Sequence, residues 1–312
     1  MKFRKIANIF VLLVLVISSL LISNNNRAEA SVSTYDLMKK FSSLAYLDAR
    51  LEGTKLKKGV PAGWVFVEQV DDNYNPLHPA FKPWGAISSS FQATVFVNNK
   101  EKKLVVAFRG SQTDLKDLAW KDWQNNFRAV TSDDNVQAKN GHLYLNYLYN
   151  MKNKKYKNYK WYFTGHSLGG WLSQKLYFDA KTGKVYNNDK KKYKYYGKIT
   201  KKDITAIVTF NSLPLTKYNV SKSTWDTMKK DTKVTNYVVK NEVLNELTLI
   251  KPKDFKYSGK VVYKDKKIRN LYEMGYSRRQ LQAMKPSETL KFFYTNRKKI
   301  SSIFNGHKLS NF

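Results

Sequence analysis

Trp161-Tyr162-Phe163-Thr164-Gly165-His166-Ser167-Leu168-Gly169-Gly170-Trp171 is an apolar run that breaks into a glycine-flanked serine. Trp161 to Thr164 reads as a short strand, and Trp171 to Ala180 as a helix that follows it. Between them, Gly165 to Gly169 fits the pattern G-x-S-x-G in the strand–turn–helix setting where that pattern carries chemistry. Such a turn is sharp, so the serine's neighbours must be tiny. Gly165 and Gly169 supply that room. Ser167 would then stand at the C-terminal edge of a sheet and at a helix N-terminus, with the Leu168 backbone N–H beside a developing oxyanion.

A nucleophilic serine needs a base, and the chain has four histidines. His78 lies in an N-terminal loop region and His142 between a hairpin and the serine turn. His166 adjoins Ser167, and its backbone direction turns its ring away from it. His307 is the histidine downstream of Ser167, as the order serine, acid, histidine requires in α/β hydrolases. The acid has several candidates. Catalytic groups of an open α/β sheet gather at the C-terminal ends of strands. Asp203 and Asp231 precede their strands and fall at the wrong edge. Glu242 follows the strand around Thr235–Val239 by a short turn, with Glu246 next in line and Asp226 further off.

Working outward, Thr34 to Leu51 shows apolar residues at helical spacing. Gly53 to Pro83 is rich in loop residues. Phe91 to Val97 and Lys103 to Phe108 flank Asn98-Asn99-Lys100 as a strand hairpin. Ile204 to Phe210 and Val234 to Val239 read as buried strands, and Ser277 to Met284 as a helix. Strands alternating with helices predict an α/β protein. With no internal repeat and no linker, residues 31–312 are expected to form one domain.

The 312 residues hold 56 Lys+Arg against 24 Asp+Glu, a net charge of +32, and no Cys. The absence of Cys rules out disulfides and thiolate metal sites. Neither a metal nor a cofactor is expected. Lys2, Arg4 and Lys5, the apolar run Ile9–Ile22 and Ala28-Glu29-Ala30 form a secretory signal, with cleavage expected before Ser31. The mature protein is therefore expected to be secreted. Basic stretches at 152–160, 181–203 and 251–267, interleaved with Tyr, suit anionic membranes or anionic wall polymers. Export argues against nucleic acid.

Four stretches resemble the class 3 (fungal-type) lipase family of α/β hydrolases. Val105-Val106-Ala107-Phe108-Arg109-Gly110-Ser111 is similar to its oxyanion strand, and Gly165–Gly170 to its nucleophile turn. Val208 to Pro214 resembles its next strand, and Asn236 to Glu242 the strand leading to its acid. The resemblance implies the α/β-hydrolase fold: a mostly parallel central sheet with an N-terminal antiparallel hairpin and helices on both faces. It implies a secreted carboxylic ester hydrolase acting on lipid esters, of lipase or phospholipase A type. Ser167 would be nucleophile, His307 base and Glu242 acid, where the family usually has Asp. Ser111 and Leu168 would form the oxyanion hole. Arg109 would brace the loop, and Asp114–Phe127, with Trp120 and Trp123, would stand where fungal members carry a lid. Trp171 departs from the family's small residue, and 181–203 looks like a basic insertion. The other expectation to weigh is a non-catalytic cationic wall- or membrane-binding protein on a hydrolase scaffold.

Overall fold

Seven of the strands form one layer, and a further two pair apart from it. The computed structural model describes residues 34–73, 78–80, 90–111, 136–150, 155–156, 158–182, 199–200 and 202–312. The expected signal segment, the lid region 114–127 and most of the basic insertion 181–203 lie outside the described residues. The chain divides into a short unit up to Met38 and a large unit from Lys39 to Phe312 that holds the sheet.

Val65–Asp71 (β1) pairs antiparallel with Gln92–Asn98 (β2), and β2 pairs antiparallel with Lys103–Phe108 (β3). From β3 onward the sheet is parallel, through Lys160–His166 (β4), Ile204–Phe210 (β5), Val234–Val239 (β7) and Lys260–Lys264 (β9). Two short strands, Leu215–Thr216 (β6) and Phe255–Lys256 (β8), pair separately. The antiparallel end is thus three strands, one more than the expected hairpin. β1 sits inside the stretch read as loop. Its Val65, Val67 and Val70 alternate poorly, and its faces are only partly buried. β2 and β4 are buried almost throughout, which explains why their sequences read as apolar runs instead of alternating patterns.

The first helix covers 34–44 and stops short of the expected Leu51. The ladder tightens into turns there, Tyr46 N to the Ser43 carbonyl at 3.2 Å and Leu47 N to the Leu44 carbonyl at 3.1 Å, and the Asp48 carboxylate then accepts from the Arg50 N–H at 2.9 Å. Burial is densest between β4 and the helix Leu168–Thr182. Trp161, Phe163, Trp171, Leu176 and Tyr177 are all fully buried there. A side chain at Gly169 would place its Cβ 2.1 Å from the Phe108 carbonyl oxygen, and one at Gly165 would meet Gly169 at 2.4 Å. Only glycines let this helix start against the strand edge. Trp171 fills the core and donates to Asn219 at 3.2 Å, so the large residue after the glycines is a packing element.

The parallel register aligns the strand ends. Phe108 pairs with Gly165, His166 with Phe210, and Phe210 with Tyr237. Loops leaving β3, β4, β5 and β7 therefore emerge at one edge. The stretch 251–267 is less of a surface patch than its composition suggests. Lys251 is buried, with its ammonium on the Gln282 carbonyl at 2.6 Å, and Tyr257 is buried too. Among the described residues no helix is long and apolar enough to cross a membrane.

Candidate active site

β4 delivers Ser167 into a left-handed backbone conformation, φ +57°. A side-chain-bearing residue there costs about 1–2 kcal/mol, and the surroundings hold it in place. Its N–H donates to the Phe210 carbonyl at 3.1 Å, and its own carbonyl accepts from Trp171 and Leu213, each at 3.2 Å. The hydroxyl is thereby fixed at the sheet edge, next to the first turn of a helix.

Three of the predicted side chains meet at this point. Ser167 Oγ lies 2.9 Å from His307 Nε2, and His307 Nδ1 lies 2.8 Å from Glu242 Oε2. Ser167, His307 and Glu242 are all buried, Glu242 completely. The carboxylate can only accept, so His307 Nδ1 donates to it. In the neutral ring Nε2 is then the acceptor that faces the serine hydroxyl. The arrangement couples a hydroxyl, a ring and a carboxylate in the order that acyl transfer uses.

Glu242 does a second thing. It is the N-cap of the helix Val243–Ile250, where Oε2 accepts from Leu244 N at 3.0 Å and Oε1 from Asn245 N at 2.7 Å. The longer arm of Glu lets the carboxylate curl back over its own helix terminus and still reach the ring. Of the alternatives, Glu246 is buried one turn on and faces Leu271 N at 3.4 Å. Asp226 is exposed and pairs weakly with Lys222. Asp231 binds the Tyr177 hydroxyl at 3.0 Å and Asp203 caps its own loop at Thr200, both away from the serine.

Ser111 follows Gly110 at the end of β3 and is half-buried. Gly110 is where this loop touches the serine turn: a Cβ there would lie 3.3 Å from Ser167 Cβ and 2.6 Å from the His166 carbonyl oxygen. Leu168 opens its helix, so its N–H has no carbonyl one turn back within the helix. Arg109 is buried, and its guanidinium reaches Asp71 at 3.4 Å, tying the loop to β1. His142 is far from this chemistry in role: it contacts Asp179 at 2.7 Å, beside the Lys175 ammonium, and burial pushes its pKa down. Among the described residues no group of His, Asp and Glu could hold a metal ion.

Sequence reasoning missed His166 and Tyr46. The His166 ring, expected merely to point away from Ser167, is buried against His307, ring centroids 4.8 Å apart. Its Nε2 lies 2.7 Å from the His307 carbonyl oxygen and its Nδ1 2.9 Å from the Tyr46 hydroxyl. The carbonyl is an acceptor, so Nε2 carries the proton. Burial, with the nearby His307, pushes the His166 pKa down to about 3, so the ring is neutral and Nδ1 accepts from Tyr46. Position 166, at the end of β4, was the one available signal. Nothing in the sequence links it to a residue 141 positions away.

The fold is a mostly parallel α/β sheet that brings Ser167, His307 and Glu242 into hydrogen-bond contact at one strand edge. The sequence matches the phospholipase-like family described as the Tle-like phospholipase domain over residues 38–188, a span that contains Ser111, Ser167 and Leu168. The match spans just under half of the chain and marks a likeness to hydrolases of lipid esters. No curated protein matches the sequence significantly. Among solved structures the chain is similar to the Lip2 lipase of Yarrowia lipolytica, at 11% identity over 77% of this chain and 82% of that one, TM-score 0.48. It is similar to a triacylglycerol lipase of Penicillium expansum, at 16% identity over 82% and 89%, TM-score 0.45. The Rhizomucor miehei lipase propeptide complex matches at 13% identity over 75% and 68%, TM-score 0.45.

Proposed function

We propose that this protein is a secreted serine esterase that cleaves acyl esters of lipids at anionic interfaces, with Ser167 as nucleophile, His307 as base and Glu242 as acid. The single observation that carries the roles is the unbroken chain Ser167–His307–Glu242, at 2.9 and 2.8 Å. Ser167 Oγ attacks the ester carbonyl carbon while its proton passes to His307 Nε2. Glu242 holds the Nδ1 proton and stabilises the imidazolium. The carbonyl oxygen becomes an oxyanion against the Leu168 N–H and Ser111. His307 then gives its proton to the leaving alcohol, and an acyl-enzyme remains. Water, activated by the same ring, releases the fatty acid.

Phospholipid is the favoured lipid class. Its support is the phospholipase-type family match together with positive charge at the catalytic edge. Exposed Lys240 follows β7, and exposed Lys266, Lys267 and Arg269 follow β9. That second loop packs toward the site, since Asn241 Nδ2 donates to the Ile268 carbonyl at 2.8 Å and Ile268 abuts Gly306. A cationic rim beside the nucleophile draws the enzyme onto anionic headgroups. Export rests on the N-terminal signal pattern. The test is the purified mature protein against phospholipids, triglycerides and short p-nitrophenyl esters, beside Ser167→Ala. Release of fatty acid from phospholipid, abolished in Ser167→Ala, is the expected outcome. Turnover of short esters alone would remove the phospholipid assignment, and no turnover of any ester would remove the esterase.

A further inference from the structure

We propose that Asn211 is a positioning residue for both the acid and the base, a bridge that sets the gap between Glu242 and His307. This rests on the triad reading above. Asn211 is the first residue after β5, is fully buried and has φ +38°. Left-handed backbone is a conformation that Asn tolerates better than most side chains. The backbone continues the sheet for one more bond, Asn211 N to the Tyr237 carbonyl at 2.8 Å. The side chain then reaches both neighbouring loops. Its Oδ1 accepts from Val239 N at 2.8 Å, and its Nδ2 donates to the Gly306 carbonyl at 3.0 Å.

Those two partners are not arbitrary. Val239 ends β7, and its carbonyl accepts from Glu242 N at 3.2 Å, so Val239 is the foot of the turn that carries the acid. Gly306 immediately precedes His307 and ends the short helix Ser301–Gly306. One amide therefore ties the acid's turn to the base's turn. The approach it spans is tight: a Cβ at Gly306 would lie 3.1 Å from Glu242 Cβ. The amide suits the task because it needs one acceptor and one donor at once, which a carboxylate, a hydrocarbon or a glycine does not offer. The Gly306 carbonyl also accepts from Asn311 Nδ2 at 3.1 Å, but Asn311 has no bond to β7. Beside the His307–Glu242 contact itself, Asn211 bridges the two turns.

Displacement of catalytic groups by about 1 Å costs on the order of 10²-fold in rate. His307 keeps two other anchors, Glu242 and the His166 bond to its carbonyl, so the loss should be partial. Asn211→Gly keeps the left-handed turn and deletes both bonds. With sites counted by a serine-reactive phosphonate, kcat per active site should fall by about 10- to 10²-fold with KM nearly unchanged. The pH profile supplies a readout that a merely structural role would not move. A looser Glu242 contact stabilises the imidazolium less, so the acidic limb of kcat/KM should shift to lower pH.

Asn211→Asp covers the case in which the glycine variant does not fold. It retains an acceptor for Val239 N but sets a carboxylate against the Gly306 carbonyl, and should lose kcat in the same way. Asn311→Ala should change kcat and the pH limb less than either. Unchanged per-site kcat and an unmoved acidic limb in the folded Asn211 variants would overturn the bridge while leaving the esterase reading intact. A wild-type protein inert toward all esters would instead remove the reading and the bridge with it.

Discussion

His166 donates from Nε2 to the backbone carbonyl of His307, at 2.7 Å, so the residue before Ser167 holds His307 by its main chain. The bond forces His166 into one tautomer, and Tyr46 completes it by donating to Nδ1. His166→Phe keeps the packing but removes both bonds. It should lower kcat by about 10-fold or more through misplacement of His307, with a smaller loss in Tyr46→Phe. Steady-state kinetics on a soluble ester decide this, and wild-type kcat in His166→Phe would show that the anchor is idle.

The same ring gives a pH dependence with a definite sign. Folded His166 has a pKa of about 3 against an unfolded value near 6.5, so the unfolded chain binds more protons between those values. Stability should therefore be fully present above pH 6.5 and be lost progressively as pH falls toward 3, on the order of a few kcal/mol from this group. His142, also depressed by burial, adds in the same direction. Urea midpoints across this range should show a shallower acid loss in His166→Phe than in wild type. Parallel curves would mean that His166 titrates normally.

Glu242 combines the acid role we propose with a helix cap, and its variants should separate the two. Glu242→Gln should cut kcat by up to roughly 10⁴, as loss of a triad acid does. Because the carboxylate also caps a helix, stability should fall by about 1 kcal/mol, more than a purely catalytic acid would cost. Glu242→Asp should keep the cap, because Asp is a preferred N-cap residue, but its shorter arm should lose the ring, so kcat should fall while stability holds. Glu246→Gln should leave kcat within a few-fold. Collapse in Glu246→Gln with a healthy Glu242→Gln would move the acid role one turn along.

The serine turn was legible because its requirements are local: tiny neighbours, a strand before and a helix after. Chain order then selected His307, and strand polarity selected Glu242 over Asp203 and Asp231. What escaped the sequence was long-range. The His166–His307 bond and the Asn211–Gly306 arm of the bridge depend on backbone atoms 141 and 95 positions away, which carry no side-chain signature. β1 was hidden among Gly, Asp and Asn residues, and Lys251 and Tyr257 looked like surface because composition cannot report burial.

Gly306 tests the packing between acid and base. Gly306→Ala would put a Cβ 2.4 Å from Ile268 Cδ1 and 3.1 Å from Glu242 Cβ. The Ile tip can yield but the Glu242 backbone region has little room, so kcat should drop by about 10-fold. Adding Ile268→Ala should restore part of it. Equal activity in Gly306→Ala and wild type would show that the two turns are slack.

The basic rim predicts where the enzyme works. Binding to anionic phospholipid vesicles should exceed binding to neutral ones and weaken near 1 M salt, where screening shortens to about 3 Å. Replacing Lys240, Lys266 and Lys267 by Gln should weaken vesicle binding by on the order of 10-fold or more, at about 1 kcal/mol per lysine. Soluble-ester turnover should stay intact. Co-sedimentation with equal binding to both vesicle types would leave the rim as ordinary solvated surface.

The central claim is that Ser167 is a nucleophile activated by His307. A lipid-like p-nitrophenyl phosphonate reports this directly, because it forms a stable bond only with an activated serine. Intact mass and peptide mapping should show one adduct per chain, on Ser167, forming on the order of 10³-fold or more slower in His307→Ala. An unlabelled protein, an adduct on another residue, or equal labelling in His307→Ala would contradict the account.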